Sequence, residues 1–232
     1  RDDVLIATKV GYDKGLSVAH IESAVEGSLR RLGTDRIDLY YAHMHDSGTR
    51  PDESLAPFVR LVRPGRVRSL GASNYSADRL AEALDLQQRE SLTPFAVLQP
   101  EYNLMERAGF EGSLQGLCVE RGLGVLPYFG LASGFLTGKY RSDADFGKSV
   151  RGSRMAAYLN ERGRRVLAAL DEVAAEIGAT QAQVALAWLA AQPGVTAPIA
   201  SATSVAQLEE LLGVLTLELG VDQVDRLTAA AA

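Results

Sequence analysis

The chain of 232 residues carries 24 Lys and Arg against 29 Asp and Glu, a net charge of -5, and is 47% hydrophobic. That is enough apolar material for a large core, and with no basic run beyond pairs such as Arg30 and Arg31 the charge pattern argues against nucleic acid as a partner. No stretch approaches the ~18 to 20 apolar residues of a membrane span.

The chain opens on Arg1 and enters a strand-like run over residues 4–10 with no signal-peptide layout, so it reads as the interior piece of a longer, unexported protein. A helix follows, with Ile21, Val25, Leu29 and Leu32 on one face and Gly33 as its left-handed cap. Residues 37–43 form the next strand and 55–62 a helix stopped by "RPG". Residues 67–74 form a strand and 77–87 a helix capped by Ser76. The alternation continues with a strand at 96–102, a helix at 112–121 closed by Gly122, and a strand at 124–130 made irregular by Pro127. Residues 131–160, rich in Gly and Ser, are a long insertion suited to a cofactor or substrate loop. One helix carries Val166, Leu170, Val173 and Ile177, and the next opens with the capping box Thr180 to Gln183. A last strand, 195–200, leads into a helix opened by "SVAQ". The lone cysteine, Cys118, precludes an intramolecular disulfide. It reads as a small buried hydrophobe in a protein of a reducing, cytoplasmic compartment.

Six strands, each followed by helix, imply a parallel sheet, open or closed. No GxGxxG follows the first strand, which disfavours the open dinucleotide fold. The expected class is α/β: a (β/α)8 TIM-type barrel with six of its eight units present, forming one truncated domain over residues 1–232. In such barrels the reacting groups stand at the C-terminal strand ends. Lys9, His43, Ser73, Asn74, Gln99 and Tyr128 all fall there. His43 and His45 could share a metal only if both lay in the strand and a third ligand were near. His43 is in phase with Ile37, Leu39 and Tyr41, whereas His45 is already in the loop, so no metal is expected and His43 is the catalytic candidate. His20, near a helix start, reads as a surface residue.

The stretches "VLIATKV", "LGTDRIDLYYAH", "VRSLGASNYS", "LQPEYNLMER", "YFGLASGFLTGKY" and "PIASATSVAQLEE" resemble the aldo-keto reductase family, more closely its bacterial branch related to aryl-alcohol dehydrogenases and potassium-channel β subunits. The resemblance implies a (β/α)8 barrel and metal-free hydride transfer between NADP(H), or NAD(H), and a carbonyl or alcohol. It makes Lys9 and His43 catalytic. Ser73, Asn74 and Gln99 would bind the nicotinamide carboxamide, and Tyr128 would stack on its ring. Leu131, Gly134, Leu136 and Lys139 would cover the pyrophosphate, and Thr203, Gln207 and Glu210 would hold the adenosine end. Gln207 also reads as the capping partner of Ser204. Three departures stand out. The family's donor tyrosine and its partner aspartate have no match, Thr203 and Leu211 stand where many members carry arginine and asparagine, and Phe129 and Gly130 replace serine and proline. The resemblance therefore implies an NADP-dependent carbonyl reductase or alcohol dehydrogenase acting on a small-molecule carbonyl or alcohol. Its alternatives are a nicotinamide-binding regulatory protein of the channel β-subunit type and an inactive fragment. Substrate and oligomeric state are not written in the sequence.

Overall fold

In a computed structural model, which describes residues 1–12, 15–46, 48, 50–62, 65–149 and 152–232, the first five expected strands alternate with helices in the expected order, each shorter than its apolar run, and among the described residues the sixth does not form. The chain divides into two units, Arg1–Pro100 with Ser113–Val125, and Glu101–Gly112 with Leu126–Ala232. No described helix is long and apolar enough to cross a membrane.

The first unit contains β1 (Ala7–Val10), α1 (Val18–Leu32), β2 (Ile37–Ala42), α2 (Pro51–Val62), β3 (Val67–Ser73), α3 (Ala77–Arg89), β4 (Phe95–Gln99), α4 (Ser113–Arg121) and β5 (Gly124–Val125). The sheet runs β1-β2-β3-β4-β5 with every pairing parallel, the arrangement of successive units of a (β/α)8 barrel. Local chemistry sets the helix ends. Gly33 closes α1 at φ 62, its N–H donating to Leu29, and the Ser76 hydroxyl accepts from Arg79 N at 3.4 Å to open α3. The helix α2 starts earlier than its apolar pattern, at Pro51, with Asp52 and Glu53 in a first turn that favours negative charge. Of its expected "RPG" stop, Arg63 and Pro64 lie outside the described residues.

The strands are shorter than their apolar runs because backbone donors go elsewhere. The Ile6 N–H donates to the Asp38 carboxylate at 2.9 Å, and although the Ile6 carbonyl still accepts from Asp38 N and Leu39 N of β2, the strand itself begins at Ala7. Pro100 has no N–H, and β4 ends before it; Pro127 likewise ends the β5 segment early. Pairing in the second unit resumes as a single bridge between Glu101 and Tyr128. Among the described residues the run 195–200 forms no ladder. Pro198 interrupts it, and Ile199 N donates to the Pro127 carbonyl at 2.9 Å.

Asp38 is the polar fastener of the sheet's first edge. Its side chain is 4% exposed and accepts from Ile6 N, from Arg1 and from Arg68. The Ile6 amide, then the guanidinium groups, hold its carboxyl below the usual range against the opposing effect of desolvation. A carboxyl with a depressed folded pKa stabilises the protein above its unfolded value of about 3.9. That stabilisation is lost as pH falls through the lower folded value. Asp38→Asn is therefore expected to lower the denaturant midpoint at neutral pH and to weaken its acid dependence. Urea melts of both proteins from pH 5 to pH 2 check this, and parallel acid profiles would refute it.

The second unit holds α5 (Glu161–Ile177), α6 (Gln181–Ala190), α7 (Val205–Leu212) and α8 (Val221–Ala230). The insertion before α5 folds as short 3-10 turns at Ala132–Thr137, Asp143–Lys148 and Gly152–Ala157. Trp188, Tyr140, Phe135, Met155, Val166 and Leu170 are fully buried and form much of the core of this unit. The expected box at α6 is complete, Gln183 N donating to Thr180 Oγ1 at 3.3 Å and Thr180 N to Gln183 Oε1 at 2.9 Å. The terminal helix α8 is held through Arg107. Its guanidinium pairs with both Glu111 oxygens at 2.8 and 3.0 Å, donates to the Thr228 carbonyl at 2.8 Å, and lies 5.9 Å from the Trp188 ring.

Candidate active site

In the first unit the polar side chains collect at the strand ends because residues two apart share a face. Lys9 pairs in register with Tyr41, and Tyr41 with Gly71, so all three stand on one side of the sheet. Tyr40 points to the other side, its ring 5.8 Å from that of Phe58 on α2. Lys9 is half-buried, and desolvation alone lowers its ammonium pKa from the ordinary lysine value.

His43 follows β2 by one residue and is still tied to the sheet, its N–H donating to the Val10 carbonyl at 2.8 Å. Its ring lies 4.9 Å from that of Tyr12, tilted by 42°. His45 instead meets the edge of Tyr75 at 5.8 Å. Among the described residues no group of three His, Cys, Asp or Glu side chains is placed to hold a metal ion.

Ser73 is buried and donates to the Gln99 carbonyl at 2.8 Å, while the Asn74 amide donates to the His43 carbonyl at 3.0 Å and to Ser73 Oγ at 3.1 Å. Asn74 does this from φ 57, the left-handed region that asparagine tolerates better than most residues. The ends of β2, β3 and β4 are thereby laced together. Asp46 adds a tie between loops, accepting from Leu16 N at 2.8 Å and Gly48 N at 2.9 Å. Gly15 makes that approach possible: at φ 65, a Cβ there would stand 2.5 Å from the Asp46 oxygen. An ammonium, an imidazole and a carboxamide on one sheet end can polarise a carbonyl oxygen and bind an amide.

In the second unit a cavity of about 800 Å³ is lined by Tyr128, Leu131, Gly134 and Lys139 from one segment and by Thr203, Gln207 and Glu210 from another. The first segment is bent through Phe129 (φ 55), Ala132 (φ 46), Ser133 (φ 58) and Gly134 (φ 103). The Asn103 amide steadies it, donating to the Phe129 carbonyl at 3.0 Å. At Gly134 the absent side chain leaves the backbone approachable, and Lys139 lies beside it with Nζ 5.2 Å from the Tyr140 ring. Leu136 does not line this cavity. It is fully buried with Phe135, and together they anchor the turn from below. Tyr128 is half-buried, and burial, reinforced by the Glu101 carboxylate, raises its phenol pKa.

Gln207 has two roles. Its N–H donates to Ser204 Oγ at 3.2 Å, as a helix start requires, but its side-chain oxygen accepts from Thr203 N and Oγ1 at 2.8 and 2.9 Å. The reciprocal half of the expected box thus reaches one residue too far back, and in doing so it fixes Thr203 at the cavity wall. Phe129, Ser133, Ser149 and Ser201 also line the cavity and were not singled out as cofactor ligands by their sequence positions. Only Ser133, inside a run of small residues beside Gly134, carried a local signal. A flexible-stemmed cation beside an uncovered glycine suits a phosphate group, and the wall around Thr203, Gln207 and Glu210 suits a polar heterocycle and sugar.

The model of the aldo/keto reductase family matches residues 1–232. The chain is 34% identical to a probable voltage-gated potassium channel subunit beta of Arabidopsis thaliana, over 90% of this chain and 67% of that protein. It is 33% identical to L-glyceraldehyde 3-phosphate reductase of Escherichia coli (strain K12), over 90% of this chain and 64% of that one. With a Schizosaccharomyces pombe protein named aldo-keto reductase yakc, NADP(+), it shares 30% identity over 94% of this chain and 67% of the relative. The chain spans about two thirds of the length of these curated relatives.

Proposed function

Since the chain belongs to the aldo/keto reductase family, we propose that it is the larger part of an NADP(H)-dependent oxidoreductase, a single barrel domain that reduces an aldehyde or ketone to an alcohol. The observation that carries this reading is the half-buried Lys9 on the same sheet face as Tyr41 and, two residues on, His43, with desolvation lowering its pKa and, among the described residues, no charged partner shifting it. A purely structural lysine at a strand end would reach for solvent or a carboxylate. The nicotinamide, when bound, supplies or accepts the hydride.

This chain's residues do the rest. Lys9 places positive charge where an oxygen gains electron density, and His43 orients that oxygen by hydrogen bonding. Ser73, Asn74 and Gln99 bind the carboxamide, which fixes the ring face presented to substrate. In the second unit Tyr128 supplies the stacking platform. Leu131, Gly134 and Lys139 hold the pyrophosphate over the buried anchor Leu136, and Thr203, Gln207 and Glu210 hold the adenosine end. A small-molecule carbonyl substrate is supported by the relative named as a glyceraldehyde 3-phosphate reductase, and NADP by the relative with NADP(+) in its name. The unpaired thiol of Cys118, buried and raised to a pKa of about 11 by desolvation, fits a reducing cytoplasmic compartment.

A second reading, a nicotinamide-binding regulator, is favoured by the likeness to two plant proteins named as potassium channel subunits. Fluorescence titration with NADPH and NADH tests the cofactor site directly. Saturable binding, tighter for NADPH and weakened about tenfold by Lys139→Ala, is the expected result. Folded protein that binds neither nucleotide overturns both readings. Binding without aldehyde turnover by the complete protein would select the regulator.

A further inference from the structure

We propose that Tyr41 is a positioning residue for Lys9: its ring, seated in a slot left by Gly71, forms the floor on which the Lys9 ammonium rests. The inference deepens the proposed function and rests on the role given there to Lys9.

Three observations converge. Lys9, Tyr41 and Gly71 occupy one register row across β1, β2 and β3, so their side-chain positions face the same way. Lys9 Nζ lies 5.5 Å from the centre of the Tyr41 ring, within range of attraction between a cation and an aromatic face. A Cβ built on Gly71 would stand 2.5 Å from both Cδ1 and Cε1 of Tyr41 and 3.2 Å from the Val97 carbonyl. The Cδ1–Cε1 edge of the ring therefore crosses β3 at a position where a side chain larger than glycine's would meet it. Gly71 has no left-handed conformation to explain its presence. Space for the ring does.

The physical need is plain. A lysine side chain has four rotatable bonds, and on an open strand end its ammonium would sample solvent. The buried Tyr41 ring, 1% exposed, removes the inward rotamers and offers a negative face at the remaining position. The His43 imidazole, one residue past β2, lies against Tyr12, and among the described residues no carboxylate contributes to the Lys9 shift. The Tyr41 hydroxyl is not the agent. Burial raises its pKa, the Gln99 side chain offsetting part of that rise, so the phenol is neutral at physiological pH.

The test uses the 232-residue chain labelled with ε-13C lysine, which gives signals for Lys9, Lys14, Lys139 and Lys148, with Lys9 assigned by Lys9→Arg. In the parent the Lys9 Hε protons are expected upfield of the other lysines, through the ring current of Tyr41. Tyr41→Phe keeps the ring and should preserve both that shift and the Lys9 titration midpoint. Tyr41→Leu keeps the burial but removes the ring, so the ring-current shift is lost and the midpoint falls by roughly half to one unit. Gly71→Ala should move the Lys9 signal in the same sense by crowding the ring out of its slot. A Lys9 signal unchanged in Tyr41→Leu overturns the proposal, as does a Tyr41→Phe spectrum that matches Tyr41→Leu. These readouts need neither cofactor nor turnover. If they come out as expected while Lys9→Met leaves activity of the complete protein intact, the catalytic assignment fails and the positioning stands.

Discussion

Lys9→Met in the complete protein is expected to lower kcat for an aldehyde by about two to three orders of magnitude, the range that removal of a positioned acid-base group commonly costs. Methionine matches the length and apolar stem of lysine, so the strand and its burial should survive the change. The affinity for NADPH should stay within about threefold, because the cofactor contacts proposed for this chain lie on other residues. Lys9→Arg should not rescue the rate, since a guanidinium, although it also stacks on an aromatic ring, spreads its charge over a larger, planar group than the compact ammonium. Burial lowers the Lys9 pKa from 10.5. A charged Lys9 requirement therefore predicts that activity falls on the alkaline side below that value. Steady-state kinetics across pH 6 to 11 measures both effects. A Lys9→Met enzyme with undiminished kcat would remove Lys9 from the chemistry.

Arg107→Ala should destabilise the fold by about 3 kcal/mol, because it strands a partly buried carboxylate and releases a backbone carbonyl at the same time. Although desolvation opposes it, Arg107 and the Tyr102 hydroxyl, which donates at 2.8 Å, hold the Glu111 carboxyl below its ordinary value. Removing the guanidinium leaves Glu111 with the phenol alone and frees the Thr228 carbonyl of α8. It also uncovers the Trp188 face, whose indole N–H donates to Thr228 Oγ1 at 2.9 Å. A melting temperature lower by about 6 to 12 °C follows for a chain of this size. Scanning calorimetry gives the figure. The double variant Arg107→Ala with Glu111→Gln should recover part of the loss, since no unpaired charge remains. No recovery would mean that the bond to Thr228 and the packing on Trp188 dominate.

Much of this molecule is legible in its sequence because the relevant signals are local. Gly33, Ser76 and the pair Thr180 and Gln183 each close or open a helix through neighbours within five residues, and each does so in the structure. Strand ends were less legible because they depend on distant donors. Nothing near Ile6 announces that its N–H goes to Asp38, and the interruptions at Pro100, Pro127 and Pro198 matter only once partners are known. The helix α8 is hard to read in the sequence, although Val221, Val224 and Leu227 have helical spacing after Gly220. Its exposed Val221 and alanine-rich end blur the pattern that makes α1 or α5 obvious. At the site, period-two alternation is enough to group Tyr41 and His43 on one face, whereas the place of Lys9 beside them depends on the register of β1 with β2. The turn at 131–139 was not readable in that way. Which of Leu136 and Ser133 faces the cavity is decided by backbone angles that composition does not encode.

Those angles have a further consequence. Phe129, Ala132 and Ser133 sit in the left-handed region without being glycine, at a cost of about 1 to 2 kcal/mol each. Folding bears that cost, with Phe135, Leu136 and the Asn103 amide holding the segment in its bent form. A guest settling against Gly134 and Lys139 then has little loop motion left to quench, so its affinity is spared most of the entropic penalty of organising its own cradle. The converse is a tension in the chain's evolution: changes that relax this bend can harden the protein against heat while slackening its grip.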